Sequence, residues 1–269
     1  MRITFIGAGN MASALVGGLL ANGRDAGSIQ AVDPSDAQRE RVAAQFGIAC
    51  HAGIDEAGDC DAYVLAVKPQ NAAEVVRPLA SRIEGRLLIS VAAGIRAVDL
   101  SRWLGGHRRI VRAMPNTPAL IGMGVTGLAA MPGLAEADRR AAQEVVAAVG
   151  EVVWVDDESL LDAVTAVSGS GPAYVFYFME QLQRAGRLVG LSEAQARTLT
   201  LATFRGAAEL AFRSDEPLAV LRERVTSKGG TTAAALAVLG EGPLADSIER
   251  GVAAACRRSK ELGDEFGAG

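Results

Sequence analysis

Histidine occurs only twice in this 269-residue chain, at His51 and His107, and cysteine three times, at Cys50, Cys60 and Cys256. The cysteines are odd in number, far apart and without a Cys-x-x-Cys pair. That argues against a disulfide framework or a thiolate zinc site and fits a reducing compartment. His51 stands beside Cys50, but two adjacent side chains rarely chelate one ion, so no metal is expected. Scarce histidine also restricts mechanism, because an imidazole general acid is available only if one of two residues reaches the site. Aromatics make up 4%, no dense basic run exists, and the formal net charge is −4. Nucleic acid as the main partner is thereby excluded, since phosphate binding needs a basic surface.

Long unbroken apolar runs are also missing. The stretches 113–135 and 163–179 are punctuated by Pro, Gly, Ser and Asn, so no membrane span is expected. Arg2 followed by the mostly apolar stretch 3–21 has the outline of a signal peptide. Yet Gly7, Gly9 and Asn10 fall where a strand would turn into a helix. The stretch is read as a buried strand and helix, and a cytoplasmic location is expected.

What is present is alanine-rich: hydrophobic residues are 49% and charged residues 22%, as in globular proteins with closely packed helices. The first half alternates apolar runs with helical patterns. Strands are expected at Ile3–Ile6, Ile29–Asp33, Ala62–Val67, Leu87–Val91, Arg109–Ala113, 125–130 and 151–155. Helices are expected at Ser13–Asn22, Ala37–Phe46, 71–81 and 135–148. Repeated βα units imply a mostly parallel sheet with helices on both faces. After Asp156-Asp157-Glu158 the strand signals nearly vanish, and helical periodicity covers 158–168, 172–190, 193–213, 216–225, 231–239 and 244–264. Ser192-Glu193-Ala194-Gln195 and Ser214-Asp215-Glu216-Pro217 read as helix starts. A boundary is therefore placed near residue 156, with an α/β domain over 1–156 and an all-α domain over 157–269. Ala173–Met179 and Leu199–Leu210 are apolar over wide faces. Such helices want burial on more than one side, which predicts a homo-oligomer; a snug monomer is the alternative.

Two glycine-rich segments carry the chemistry. Gly7-x-Gly9-x-x-Ala12 follows a strand and opens a helix. In that context Gly7 permits a tight turn, Gly9 lets a pyrophosphate approach backbone, and Ala12 allows close helix–strand packing. Asp33, at the end of the second strand, suits the ribose hydroxyls of NAD, whereas Ser35 and Arg39 suit a 2′-phosphate. Asp33 as a plain helix cap is the third reading. The second segment is Thr226-Ser227-Lys228-Gly229-Gly230-Thr231-Thr232, followed by Ala233-Ala234-Ala235-Leu236. It is a hydroxyl- and glycine-rich loop opening a helix, and so a second anion site for a substrate. The bland reading of Thr231 and Thr232 is N-capping. Lys68, Ala92-Ala93-Gly94 and Met114-Pro115-Asn116-Thr117-Pro118 fall at strand ends, where an open α/β sheet binds its ligands; the last is equally a structural turn.

Taken together, these segments are recognisable. Gly7-Ala8-Gly9-Asn10-Met11, Ala66-Val67-Lys68-Pro69, Ala92-Ala93-Gly94, Met114–Pro118, Ala163–Tyr174 and Val225–Leu236, in this order and at these intervals, closely resemble pyrroline-5-carboxylate reductase. The resemblance covers nearly the whole chain, and its two motifs in the helical half are the distinctive ones. It implies a Rossmann-type N-terminal domain and a C-terminal helical domain that dimerises. It implies hydride transfer from NADPH, with NADH the alternative, to the imine carbon of 1-pyrroline-5-carboxylate, the atom that becomes C5 of the L-proline formed. Carried over by position, Gly7, Ala8, Gly9, Asn10 and Met11 would hold the pyrophosphate, and Ser35 would lie near the adenosine ribose. Ala66, Val67, Lys68, Pro69, Val91, Ala92 and Ala93 would line the nicotinamide half. Ser227, Gly229, Gly230, Thr231 and Thr232 would hold the substrate, with Thr232 at the ring nitrogen. Lys228 departs from the family, which often has proline there; a solvent-facing lysine is expected. A β-hydroxyacid dehydrogenase or another imine reductase, and a catalytically silent nucleotide-binding protein, are the competing readings.

Overall fold

The computed structural model describes residues 1–267, and these divide into two compact units. The first comprises Met1–Ser170 together with the chain from Ala255, and the second Gly171–Ala254. Strands end near the expected boundary at 156, but the division into units falls after Ser170, and the end of the chain returns to the first unit.

In chain order the first unit runs β1 (Ile3–Ile6), α1 (Asn10–Ala21), β2 (Ile29–Val32), α2 (Asp36–Phe46), β3 (Ala49–His51), β4 (Ala62–Leu65) and α3 (Ala72–Val76). It continues with β5 (Leu87–Ser90), α4 (Ala97–Trp103), β6 (Ile110–Met114), β7 (Gly124–Ala130), α5 (Glu136–Ala147), β8 (Gly150–Trp154) and α6 (Leu160–Val164). Among the described residues these strands form one sheet in the order β3-β2-β1-β4-β5-β6-β7-β8. All neighbours are parallel except β6 and β7. The chain steps outward from β1 to β3 and then returns to β4 on the other side of β1, which makes the β1/β4 junction the point where a crevice opens.

Alternation along each strand splits the core between the two faces of the sheet. Ile3, Phe5, Ala62, Val64, Leu87 and Ile89 pack on one side with Leu15, Val16, Leu19 and Val145. Ile6, Tyr63, Leu65 and Leu88 pack on the other with Val76, Leu79, Leu100 and Trp103. The helix expected over 71–81 breaks into α3 and a 3₁₀ turn at Arg77–Ser81, because Pro78 lacks the N–H that a continuous helix needs. Strand β3 and helix α4 were absent from the sequence expectation.

The second unit is helical: α7 (Gly171–Leu188), α8 (Glu193–Phe212), α9 (Leu218–Arg224), α10 (Thr231–Glu241) and the first part of α11 (Leu244–Gly267). The helix start expected at Ser192 is a capping box, with the Ser192 and Gln195 side chains answering each other's backbone N–H groups. Among the described residues no helix is long and apolar enough to cross a membrane.

Candidate functional site

Register levels the strand ends of the first unit. Ile6 pairs with Val32 and with Leu65, and Leu65 pairs with Ser90. Gly7, Asp33, Ala66 and Val91 therefore stand side by side at one edge of the sheet, bringing together the segments expected to hold a dinucleotide.

The two motif glycines answer different demands. Gly7 has φ +96°, and a Cβ there would lie 2.7 Å from the Ala66 carbonyl oxygen, so the fold itself requires glycine. Gly9 has an ordinary φ of −72°, and a Cβ there would meet nothing within 4 Å. Its bareness instead leaves open space over the start of α1. That helix has no side-chain cap and no acidic residue in its first turn. Its N–H groups and dipole thus face that space, a cradle that fits a pyrophosphate. Ala12 is buried, as close helix–strand packing needs. Ala66, Val67 and Pro69 are half-buried at the end of β4, Lys68 is exposed, and Val91 and Ala93 flank the buried Ala92.

Asp33 departs from the helix-cap reading. It does not cap α2; Ser35 does, accepting from the Gln38 N–H at 3.4 Å. Asp33 Oδ2 instead accepts the Ala8 N–H at 2.8 Å, and Oδ1 accepts the Ser35 N–H at 2.9 Å. Arg39 donates to the Asp33 carbonyl at 2.7 Å and pairs with Asp36. Arg41, which no sequence signal marks, donates to the Ala8 carbonyl at 2.9 Å and to Ser13 Oγ at 3.1 Å.

The Met114–Pro118 segment serves structure at the same edge. Asn116 is buried; its Oδ1 accepts the Val125 N–H at 3.0 Å and its Nδ2 donates to the Ser168 carbonyl at 3.3 Å. Met114 Cε lies 2.7 Å from the position a Cβ on Gly169 would take. Thr165–Gly169 forms a π-helical turn, a local departure that often marks functional sites. His51 ends β3 at this same edge, level with Val32 and two strands from β1, whereas His107 precedes β6 at the opposite edge.

In the second unit, Thr226–Thr232 folds as expected into a loop that opens α10. Gly230 donates to the Ser227 carbonyl at 3.0 Å, closing a turn. Gly229 has φ +71°, so the turn needs glycine there; a Cβ on Gly230 would lie 2.4 Å from Ser227 Oγ, which would have to rotate away. The N-cap is Gly230, no side chain caps the helix, and its first turn holds no acidic residue. Thr231 and Thr232 thus do not act as the cap, and the start of the helix is left for a ligand. Thr232 is half-buried, while Thr231 and Lys228 are exposed.

Residues 158–262 match the family model described as pyrroline-5-carboxylate reductase dimerisation, and residues 2–94 match that of NADP oxidoreductase coenzyme F420-dependent. The chain is 45% identical to a pyrroline-5-carboxylate reductase of Pseudomonas aeruginosa, over 99% of this chain and 98% of that one. The solved pyrroline-5-carboxylate reductase of Coxiella burnetii superposes with a TM-score of 0.93 at 39% identity, covering 97% of this chain and 98% of that one. The Plasmodium falciparum pyrroline carboxylate reductase, solved with NADP bound, gives a TM-score of 0.85 at 31% identity, with 98% of each chain covered.

Proposed function

The chain belongs to the pyrroline-5-carboxylate reductase family, and from that membership we propose how its residues divide the reduction of a cyclic C=N bond. It is an NAD(P)H-dependent oxidoreductase that converts 1-pyrroline-5-carboxylate to L-proline, the last step of proline synthesis. NADPH, or NADH as the alternative, supplies the hydride when bound.

The loop Gly7–Met11 holds the pyrophosphate on the first turn of α1, and Ser35 lies toward the adenosine ribose. Ala66–Pro69 and Val91–Ala93 line the nicotinamide half. In the second unit, Ser227, Gly229, Gly230 and Thr231 present hydroxyl and backbone N–H groups to the substrate carboxylate. Thr232, less exposed than its neighbour, hydrogen-bonds the ring nitrogen. The observation that carries the substrate assignment is the bare, glycine-flanked start of α10, whose N–H groups no side chain of its own loop takes up. An imine accepts hydride best when already protonated, so positive charge is lost as the amine forms. No strong protein acid is then needed, which suits a chain with only two histidines. The protein's contribution is orientation.

The matched dimerisation segment and the exposed apolar residues Val175, Phe176 and Tyr177 on α7 support a homodimer built from the helical unit, and the odd, scattered cysteines support a cytoplasmic location for it. The deciding experiment measures oxidation of NADPH and of NADH with 1-pyrroline-5-carboxylate, beside a panel of hydroxyacids and other cyclic imines. Turnover confined to the pyrroline is expected. Preferred turnover of a hydroxyacid, or cofactor binding without turnover, overturns the reading.

A further inference from the structure

We propose that Asp33 and Arg41 are positioning residues that grip the glycine loop through the two peptide groups of Ala8, and that Asp33 does not select between NADPH and NADH. An acidic residue at the end of the second strand is ordinarily placed to accept ribose hydroxyls and to repel a 2′-phosphate. Here each carboxylate oxygen already receives a backbone N–H, one from Ala8 and one from Ser35. The backbone of Asp33 is pinned as well: its N–H donates to the His51 carbonyl at 3.0 Å, and its carbonyl accepts from Arg39. The carboxylate is turned under the loop and held there.

Arg41 completes the grip from α2. Its guanidinium takes the Ala8 carbonyl and Ser13 Oγ, and Gln38 Oε1 steadies it at 2.8 Å. Ala8 is 1% exposed, so its N–H and carbonyl have no water to fall back on, and loss of either partner leaves a buried polar group unmet. With both groups of Ala8 held, the following N–H groups at the start of α1 keep one direction. A dinucleotide then meets a loop already in its binding form and loses less freedom in ordering it. Both carboxylate oxygens are engaged by the chain's own N–H groups rather than left bare toward a 2′-phosphate.

The inference rests on the glycine loop being the cofactor site, and the test separates the two. Gly9→Leu, at a position where the chain itself leaves room, abolishes dinucleotide binding in a folded protein if the loop is that site. Normal binding by Gly9→Leu refutes the site and leaves the grip without a function. Asp33→Asn leaves one acceptor for two N–H groups, so an amide donor must face the N–H of Ala8 or of Ser35. It is expected to raise KM for NADPH and for NADH by a common factor of roughly five or more. The ratio of the two kcat/KM values changes less than about twofold, and kcat at saturating cofactor and KM for the pyrroline are retained. A selective loss with NADH, or unchanged constants with both cofactors, overturns the proposal. Arg41→Met is expected to show the same paired rise, and Arg41→Lys, which keeps a cationic donor, to recover part of it. If Asp33→Asn does not fold, the Arg41 pair decides: cofactor constants indifferent to Arg41→Met, or no recovery in Arg41→Lys, overturn the grip.

Discussion

Thr232 is the residue on which the proposed chemistry depends most. Its hydroxyl is assigned to the ring nitrogen, and α10 begins without help from it as a cap. Thr232→Ala is therefore expected to leave folding intact and to lower kcat/KM for the pyrroline by about tenfold or more, ~1.4 kcal/mol of transition-state stabilisation. Unchanged kinetics in a folded variant would remove Thr232 from the mechanism. Lys228 is the contrasting neighbour, exposed within the same loop. Lys228→Ala should change KM for the pyrroline by less than about twofold, as expected of a solvated cation; a larger rise in steady-state assays would place it on the substrate carboxylate. The glycines were legible because glycine is the one residue whose absence of side chain shows directly in the sequence. Asp33 was legible as a residue but not as a role, since its two partners, Ala8 and Ser35, are set by the fold.

Among the elements, α4 shows what local sequence cannot signal. Its first N–H, at Ala97, is accepted at 2.7 Å by Glu158 Oε1, a residue sixty-one positions away. No Ser, Thr, Asp or Asn marks the start; the N-cap is Arg96, whose side chain makes no cap. The same Glu158 oxygen receives Arg112 of β6 at 2.9 Å, with Arg112 only 11% exposed. Glu158→Ala strips both partners at once and leaves a largely buried guanidinium unpaired, which should cost about 3 kcal/mol in urea unfolding. A cost under about 1 kcal/mol would show that water takes the place of the carboxylate. Strand β3 was missed for a different reason: it spans Ala49–His51, too short to alternate visibly. The long helices α7, α8 and α11 and the hydroxyl loop before α10 were legible, because periodicity and breakers are local signals.

For the whole molecule, pH and association are the measurable quantities. Burial lowers the pKa of His107 below its ordinary 6.5, and its Nε2 is buried without a partner. The unfolded chain therefore takes up a proton that the folded protein refuses. Stability supplied by the neutral imidazole is present above pH 6.5 and is lost as pH falls toward the folded-state value. Tm of the wild type should fall between pH 7.5 and pH 5.5 more steeply than that of His107→Gln; equal slopes would show that this histidine is not responsible. Association is the other quantity. Phe176 and Tyr177 are 65% and 60% exposed, and Leu188 and Val189 more so, a surface that calls for cover. Light scattering should give at least twice the 27.8 kDa of one chain at micromolar concentration, and Phe176→Glu should shift the protein toward monomer. A wild-type monomer under those conditions would refute the dimer.

Most of the order of strands and helices, the two glycine-rich helix starts and the scarcity of histidine follow from the sequence alone. Each is written in nearest neighbours: period, glycine, cap, composition. The tertiary structure alone decided the reversed direction of β7, the return of the chain's end to the first unit, and the employment of Asp33, Arg41, Asn116 and Glu158 as braces between distant segments. Those depend on which segments lie adjacent in space, and a hydrogen bond across twenty-five or sixty-one residues leaves no mark on the residues between.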